Sequence, residues 1–391
     1  MRALSIAVLV LVTACSGRLR SSDPPAGAGS LAPHLAGSGG RIVLSWVETD
    51  ATGGPALRFA TREGDGWGQP RTVVRDRALA ADAVDVPSVV PLAGGGFAAH
   101  WSVKRHESTH ARDLLVAVSR DGSTWSAPSR PHRDDTDSEH GMASIVPAAE
   151  GEGFSIVWLD GRAGELTEDG RGGTALYASE SDGRQFSAET LLDPRVCDCC
   201  KTSAALAPSG PIVAYRDRAE GERRDISLVT RASGGWSAPR AVHDDGWSLT
   251  ACPTNGPSVA AQGDRVAVAW FTGARSTPSV WAATSGDAGA TLSAPVRVDG
   301  GSPSGRVEVA MLDDGSAAVV WLEKLGERGE VRVRRVAPDG VAAPPVTVAT
   351  TSASRASGYP RIAALSGHRV LVAWTEIGTG SRVRVSVVEL S

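Results

Sequence analysis

Lysine is nearly missing from this 391-residue sequence, in which only Lys104, Lys201 and Lys324 stand among 40 basic residues. The net charge of −4 leaves no basic excess to neutralise phosphates, so nucleic acid is excluded as an expected partner. Apolar runs long enough to cross a bilayer as a helix are also missing. The 45 Gly and 23 Pro leave little room for helix interiors, which tolerate neither residue. The abundance of glycine and proline therefore favours a turn-dense fold and makes a helical bundle or coiled coil improbable.

The first 14 residues have the features of an export signal. A positive start, Met1-Arg2, precedes an apolar run of nine residues from Leu4 to Val12. The V-T-A-C that ends at Cys15 resembles the lipobox of bacterial lipoproteins, in which cleavage leaves the cysteine as the lipidated first residue. We therefore predict a lipoprotein signal peptide at 1–14 and lipidation of Cys15; an ordinary secretory signal with a chance cysteine is the alternative.

Residues 15–32 follow as a stretch rich in Ser, Gly, Pro and Ala, which is typical of a flexible tether between lipid and domain. The residue after the cysteine is a serine, not the aspartate that commonly retains lipoproteins at the inner membrane. The expected location is therefore the outer membrane, on its periplasmic or cell-surface side, with contact to the membrane only through the lipid anchor.

From residue 33 to residue 391 the sequence repeats itself. Strong strand patterns that end in an aromatic residue recur at intervals of 51 to 57 residues. The aromatic residues are Trp46, Trp101, Trp158, Tyr215, Trp270, Trp321 and Trp374. Each repeat contains four short strand patterns separated by turns, which is typical of a β-propeller blade of four antiparallel strands. Seven repeats predict seven blades, and six blades remain the alternative if the first repeat is irregular. The last repeat ends after its third strand, so either its outer strand is missing or an N-terminal segment supplies it.

The turn before the last strand of several repeats carries a motif. Ser285-Gly-Asp287-Ala-Gly-Ala-Thr-Leu matches S-x-D-x-G-x-T-W except at its final position, and the segments beginning at Ser119 and Ser181 are shorter copies. In this motif the Asp accepts hydrogen bonds from turn amides and the glycine supplies a positive φ. The chain here resembles the sialidase/neuraminidase-like superfamily of Asp-box (BNR) propellers, across residues 33–391. That resemblance implies a propeller, but Asp boxes occur in glycosidases, lectin-like binders and non-enzymatic propellers alike.

The resemblance also implies what a sialidase site would need: three arginines that clamp a carboxylate, a Tyr nucleophile with a Glu partner, and an Asp acid. The F-R-I-P motif that usually supplies the first arginine is absent, so candidates are chosen by their predicted loop positions. The predicted catalytic set is Arg216, Arg306 and Arg361 as the clamp, Tyr359 as nucleophile, Glu323 or else Glu376 as its partner, and Asp217 or else Asp160 as the acid. If the protein is an enzyme, it is a glycoside hydrolase of the exo-alpha-sialidase type.

The remaining cysteines precede two neighbouring repeats. Cys197, Cys199 and Cys200 form a C-x-C-C cluster, and Cys252 occupies the equivalent position one repeat later, so all four are expected on one face. Disulfides are the favoured interpretation for an exported protein, for instance between Cys252 and a member of the cluster. A copper or zinc site with His243 or His140 completing the ligand shell is the alternative, and a redox-active pair is a third.

The sequence thus predicts a monomeric envelope lipoprotein that binds terminal sugars of a glycan or glycoconjugate. If the protein is an enzyme, it also hydrolyses them. The alternative is a non-catalytic propeller whose cysteine-bearing loops bind a metal ion or another envelope protein. Nine of the eleven tryptophans fall at repeated packing positions, which leaves Trp247 as the main aromatic candidate for ligand contact. No cofactor is firmly predicted.

Overall fold

The computed structural model describes residues 18–49, 54–106, 110–164 and 173–391, which form seven antiparallel sheets. Successive innermost strands contact one another around the whole ring, including the last and the first, and enclose a central channel. The predicted all-β propeller is confirmed, with seven blades and not six. Residues 1–17, with the predicted signal peptide and Cys15, lie outside the described residues.

Each blade is built outward from the channel, and blades are numbered in the order of their innermost strands. These strands are Leu31–Ser38, Ser88–Pro91, His140–Pro147, Ser203–Ala207, Ser258–Gln262, Pro303–Met311 and Arg361–Ala364. The second strands are Arg41–Thr49, Phe97–Lys104, Phe154–Asp160, Gly210–Arg216, Arg265–Thr272, Ala317–Leu325 and Arg369–Ile377. We call the end of the ring where innermost strands begin and second strands end the top face.

The outer half of each blade is less regular. The third strands are Pro55–Glu63, Arg112–Ser119, Thr174–Ser181, Ile226–Ala232, Ser279–Ser285, Arg328–Val336 and Ser381–Glu389. The outer strands are Arg71–Arg75, Thr190–Val196, Arg240–Ala241, Val296–Arg297, Val346–Ser352 and Leu19–Ser21. In blade two a single bridge between Val116 and Ser129 takes the place of an outer strand. Short additional strands lie at Gly66–Trp67, Leu79–Ala80 and Gly235–Trp236, and 3-10 turns at Glu220–Glu222, Ala274–Ser276 and Arg355–Ser357.

The N-terminal strand Leu19–Ser21 supplies the outer strand of blade seven by pairing with Ser381–Glu389. The backbone continues along the blade, where the Ser22 amide donates to Val385 O at 3.0 Å and the Gly29 amide to Ser381 O at 2.8 Å. The prediction that an N-terminal segment supplies the outer strand of the last repeat is therefore confirmed, and residues 19–21 of the predicted tether form that strand.

The aromatic residues that mark the repeat lie in the second strands, which are covered on both sides by neighbouring blades. Trp46, Trp158, Trp270 and Trp321 are each at most 1% exposed. Such double-sided burial explains why the second strands read as nearly continuous apolar runs. Each blade therefore contributes one large aromatic side chain to the contact with its neighbours, and Tyr215 takes this place in blade four.

The outer turns that carry the S-x-D motif are held by their aspartates. Asp121 accepts hydrogen bonds from the amides of Ser123 and Thr124, each at 2.8 Å. Asp287 accepts from both the amide and the hydroxyl of Thr291. Each of these carboxylates thus satisfies turn donors, which is a structural role. No helix among the described residues is long and apolar enough to cross a bilayer.

Three innermost strands begin with a β-bulge. The bulges fall at Ala32, Met142 and Arg306, which have φ values of 53°, 51° and 55°. Left-handed backbone at a non-glycine residue carries a conformational cost, so surrounding contacts must hold it in place. In the strand register, each bulge lies opposite the tryptophan of its blade: Trp46, Trp158 and Trp321.

Candidate functional site

The top face presents several carboxylates that lie near the ends of the tryptophan-bearing second strands. In blades one, three and six the spacing is Trp-x-Glu or Trp-x-Asp, which places both side chains on the same face of the strand. The indole Nε1 of Trp158 donates to Asp160 at 2.8 Å, and that of Trp321 donates to Glu323 at 2.6 Å. Trp46 and Glu48 repeat the contact at 2.8 Å. These acids therefore anchor the tryptophans.

Glu323, predicted as the partner of a Tyr nucleophile, has a structural environment. Its carboxylate also accepts hydrogen bonds from the amides of Gly300 at 3.2 Å and Ser302 at 2.6 Å, in the loop that leads into blade six. The residue is only 2% exposed. The described hydrogen bonds of Glu323 thus tie its loop to its own blade, and none of them reaches Tyr359.

Asp217, predicted as the acid, lies just after the second strand of blade four. Its carboxylate accepts from the Arg218 amide at 2.6 Å and from the Ser227 hydroxyl at 3.4 Å. Burial, with a smaller contribution from the nearby Asp193 carboxylate, raises the pKa of Asp217 to about 6. Asp217 is therefore able to hold a proton near neutral pH, although its described bonds are to blade-four groups and not to the predicted clamp arginines.

Arg216 is fully engaged by backbone oxygens. Its Nε donates to Asn255 O at 2.8 Å and its Nη2 to Phe271 O at 2.7 Å, while Nη1 donates to Arg224 O. Its guanidinium also lies 4.8 Å from the centre of the Trp247 ring, and Trp247 is 9% exposed. The interpretation of Trp247 as a ligand-contact residue is wrong, because its ring is packed against Arg216 and Phe271. Arg216 therefore joins three backbone segments through buried hydrogen bonds.

Arg306, Tyr359 and Arg361 do come together. The guanidinium of Arg361 lies 5.7 Å from the centre of the Tyr359 ring, and Arg306 Nη1 donates to the carbonyls of Ser354 at 2.8 Å and Gly358 at 3.3 Å. Arg361 donates to Pro33 O and to Glu308 Oε1, both at 3.0 Å.

The hydroxyl of Tyr359 is occupied. It donates to Thr254 O at 2.9 Å and accepts from the Gly256 amide at 2.8 Å. Burial raises the pKa of Tyr359, which is 2% exposed. Its Lys201 neighbour lies 5.1 Å from the ring centre, and burial lowers the pKa of that ammonium to about 7. In this arrangement the ring, and not the hydroxyl, is the part of Tyr359 that cations contact.

Residues of this group line two cavities. The central channel has a volume of about 900 Å³, and His34, His100, Lys201, Glu308 and Arg361 supply charged or titratable groups to it. A smaller cavity of about 290 Å³ opens on the top face between blades one, two and seven. Its wall is formed by Leu31, Ala32, Pro33, Ala81, Asp82, Ala83, Val86, Arg355, Ala356, Gly358, Tyr359, Arg361 and Thr375, and we call it the top-face pocket.

A charged cluster beside this pocket was missed at the sequence level. Arg112 pairs with Asp85 at 2.9 Å, with Asp82 at 3.3 Å and, more loosely, with Glu139 at 3.6 Å. Burial raises the pKa of Glu139 to about 7. The loops that precede innermost strands contain Asp82, Asp85 and Glu139. Other candidates were taken from loops of this kind, so loop position alone would have identified these three acids. Arg112 begins a third strand and carried no such signal.

The cysteines divide into a bridged and an unbridged pair. Cys199 and Cys252 form a disulfide that joins the loops before blades four and five, which agrees with the favoured interpretation. Cys197 and Cys200 are free and buried, with their Sγ atoms 3.2 Å apart. Hydrogen bonds from the Cys200 thiol and the Cys199 amide lower the pKa of Cys197 to about 7, whereas burial raises that of Cys200.

The predicted metal site with five ligands is not assembled in this state. The bridged Cys199 and Cys252 have no thiolate to offer a metal. His243 is exposed and its Nδ1 bonds Asp245 at 2.8 Å, in a turn whose Asp245 also accepts from Trp270. Cys197 and Cys200 remain as the two thiols of the set, and Arg216 and Arg224 interact electrostatically with Cys197.

Comparisons with known proteins identify fold relatives. No protein-family model matches this chain, and a search of curated proteins finds no match. Among solved structures, an ulvan lyase, described as a polysaccharide lyase, superposes with a TM-score of 0.57 and 14% identity over 94% of this chain and 95% of its own. The NanB sialidase from Streptococcus pneumoniae gives 0.50 and 10% over 96% and 95%. The alpha-L-arabinanase of Penicillium chrysogenum gives 0.50 and 13% over 96% and 98%. These likenesses support a sialidase-like propeller fold.

Proposed function

We propose that this protein binds the terminal sugar of a glycan in the top-face pocket. The proposal rests on one observation: Tyr359 and Arg361 are in contact with each other and both line a cavity of about 290 Å³ that opens at the top face. Small-molecule sites are typically apolar clefts with a few placed polar groups, and this pocket combines Leu31 and Val86 with charged groups at its edge. An aromatic ring beside a guanidinium suits a sugar, which presents both C–H faces and hydroxyl groups.

The charges favour an acidic sugar. Arg355 is exposed at the edge of the pocket. The two other charged groups of the wall are already paired, Arg361 with Glu308 and Asp82 with Arg112, so Arg355 adds a positive charge to an otherwise balanced wall. A guanidinium pairs with a carboxylate through two parallel hydrogen bonds, which is the strongest polar contact such a sugar could make. Asp82 can accept hydrogen bonds from sugar hydroxyls. A terminal sialic acid or uronic acid therefore fits better than a neutral sugar.

The fold relatives are consistent with this proposal at the level of analogy. One is a sialidase, one is an arabinanase complexed with arabinobiose, and one is an ulvan lyase that was also solved bound to a glucuronic acid–rhamnose sulfate unit. Function does not follow from fold, so the argument rests on the pocket, and the relatives supply only the class of ligand to try first.

Hydrolysis of the exo-sialidase type is the finer proposal, favoured by Arg306, Tyr359 and Arg361 lying side by side. It requires the Tyr359 hydroxyl to leave Thr254 and Gly256, and it requires an acid, for which Asp217 and Glu139 are candidates by their raised pKa. Binding without hydrolysis needs no such rearrangement, so it is the proposal that we place first.

The test of binding is calorimetry with sialyllactose, a glucuronic acid-terminated oligosaccharide and lactose. We expect both acidic ligands to bind and lactose to bind at least tenfold more weakly. Arg355→Ser should weaken acidic-ligand binding about tenfold, since a charge-assisted hydrogen bond contributes about 1.5 kcal/mol. Arg184→Ser, which removes an exposed arginine from an outer turn of blade three, is the matched control. Equal affinity of wild type and Arg355→Ser would contradict the proposal.

A fluorogenic sialoside separates binding from hydrolysis. Release of the fluorophore by the wild type and its loss in Tyr359→Phe would support the sialidase chemistry. Wild-type protein that binds sialyllactose yet releases nothing would exclude hydrolysis of this type and leave the binding proposal standing.

We further propose attachment to the outer membrane through lipid on Cys15. The V-T-A-C segment supports this proposal. Mass spectrometry of the membrane-extracted protein should find a lipid-modified N-terminal cysteine, and Cys15→Ser should move the protein to the soluble envelope fraction. An unmodified N-terminus in the membrane fraction would count against it.

A further inference from the structure

Four sulfur atoms form a continuous path from the interior of the protein to its surface. Cys200 Sγ lies 3.2 Å from Cys197 Sγ, which lies 3.8 Å from Cys199 Sγ. Cys199 is bridged to Cys252. Cys197 and Cys200 are each 1% exposed, Cys199 is half-buried and Cys252 is exposed. The path therefore begins at a buried dithiol and ends at a surface disulfide.

The surroundings of Cys197 favour its thiolate, which is the form that attacks disulfides. The Cys199 amide and the Cys200 thiol both hydrogen-bond the sulfur, and the guanidinium groups of Arg216 and Arg224 lie close enough to stabilise its negative charge. Neither guanidinium is free to swing away, because Arg216 is bound to three carbonyls and Arg224 bonds Leu249 O and Glu222.

We propose that Cys197 and Cys200 form a thiol–disulfide exchange site that reduces the Cys199–Cys252 bridge. In the first step the Cys197 thiolate attacks Cys199 Sγ, the Cys197–Cys199 bond forms, and the Cys199–Cys252 bond breaks with its electron pair on Cys252 Sγ, which takes a proton from solvent. In the second step Cys200 attacks Cys197 Sγ, the Cys197–Cys200 bond forms, and the Cys197–Cys199 bond breaks with its electron pair on Cys199 Sγ, which takes up the proton that Cys200 loses.

The net result moves two electrons from the buried pair to the surface pair. Cys197 and Cys200 end as a disulfide, Cys199 and Cys252 end as thiols, and no outside oxidant or reductant is consumed. The surface dithiol can then reduce a disulfide in solution, which forms the Cys199–Cys252 bridge again. The substrate class of this site is therefore a disulfide that can reach the top face beside blades four and five.

Trapping experiments test the internal exchange directly. The full chain is reduced with dithiothreitol, desalted without oxygen and given one equivalent of oxidised dithiothreitol. Samples are quenched with acid at intervals and alkylated. After digestion, mass spectrometry identifies which cysteines are joined by a disulfide. Because one equivalent of the oxidant supplies one disulfide per chain, the wild type should divide between chains that hold 199–252 and chains that hold 197–200. Cys200→Ser should divide between 199–252 and 197–199, and Cys197→Ser should hold 199–252 alone. Thermal unfolding of each variant checks that it is folded.

Two results would overturn the proposal. One is a wild type that forms only the 199–252 disulfide, with Cys197 and Cys200 alkylated only after denaturation, because these thiols would then be inert core residues. The other is one equivalent of copper or zinc in the purified protein, retained by Cys199→Ser and lost in Cys197→Ser, because the pair would then be a metal site. A protein that exchanges internally should also reduce bis(2-hydroxyethyl) disulfide, faster in the wild type than in Cys252→Ser.

Discussion

The indole Nε1 of Trp321 donates a 2.6 Å hydrogen bond to the carboxylate of Glu323, two residues further along the same strand. The same carboxylate holds two amides of the loop that leads into its blade. Blades one and three repeat the indole–carboxylate contact, and in all three blades the tryptophan faces a bulge whose first residue has a positive φ. The carboxylate, the indole and the bulge thus form one structural unit that fixes the entering loop at the top end of the blade.

The first prediction concerns this unit. Glu323→Ala leaves the Trp321 Nε1 and the Gly300 and Ser302 amides without their acceptor, so we expect the free energy of unfolding to fall by about 3 kcal/mol. Urea denaturation measures it. The matched control is Glu376→Ala in blade seven, where among the described residues Trp374 Nε1 has no partner and Glu376 pairs with the partly exposed Arg384. We expect less than about 1 kcal/mol there. Equal losses would contradict the structural role of Glu323.

A second prediction concerns Arg216. Arg216→Met removes all donors to the carbonyls of Arg224, Asn255 and Phe271, and we expect a loss of about 4 kcal/mol in the free energy of unfolding. Arg218→Met is the neighbouring control, because Arg218 is less buried and pairs with Glu222 at 3.1 Å. If Arg216 instead clamped a ligand, its substitution would reduce binding and leave stability near the wild-type value.

The third prediction concerns pH. Burial lowers the pKa of His100 from 6.5 to about 4, so on acidification the unfolded chain takes up this proton before the folded protein does. The contribution of His100 to stability is complete above about pH 6.5 and is lost as the pH falls towards 4, by about 3 kcal/mol. Unfolding midpoints at a series of pH values should therefore depend less steeply on pH in His100→Leu than in the wild type. His106→Leu, which removes an exposed imidazole, is the matched control.

A fourth prediction concerns ring closure. A chain that starts at Leu31 lacks the strand Leu19–Ser21 and leaves the edge of Ser381–Glu389 unpaired. Compared with a chain that starts at Arg18, we expect a melting temperature lower by about 5 °C and a greater tendency to associate through the open edge. Calorimetry and light scattering measure the two effects. Identical melting temperatures would show that the strand adds nothing to the ring.

The blade number was predictable because its physical cause is local. Each second strand is buried on both sides, so each must carry a long apolar run, and the interval between Trp46 and Trp101 then reads as one blade. The closing strand was harder to predict. Leu19–Ser21 has three residues and one apolar side chain, so its sequence is no different from that of a linker, and only the unpaired edge of the last blade specifies it.

The site was less predictable because side-chain partners depend on the folded structure. Four cysteines allow three pairings into two bridges, and spacing alone does not choose among them. The position of Glu323 near the end of a second strand suggests the top face, and its spacing of two from Trp321 places acid and indole on the same face of the strand. That spacing alone does not assign Glu323 to packing, because Glu376 has the same spacing from Trp374 and leaves that indole Nε1 without a partner among the described residues. No comparable signal marked Arg112, whose acidic partners come from two other loops.

Pairing of residues 19–21 with residues 386–388 sets an order of events during biosynthesis. The strand made first cannot be used until the strand made last has emerged, because both belong to one sheet. At synthesis rates of about 5–20 residues per second, that delay is on the order of half a minute. Through this interval the first blade has its inner strands but the ring has no closure. A chain interrupted anywhere before the last hairpin is therefore left as an open arc, with two sheet edges exposed to chaperones and proteases.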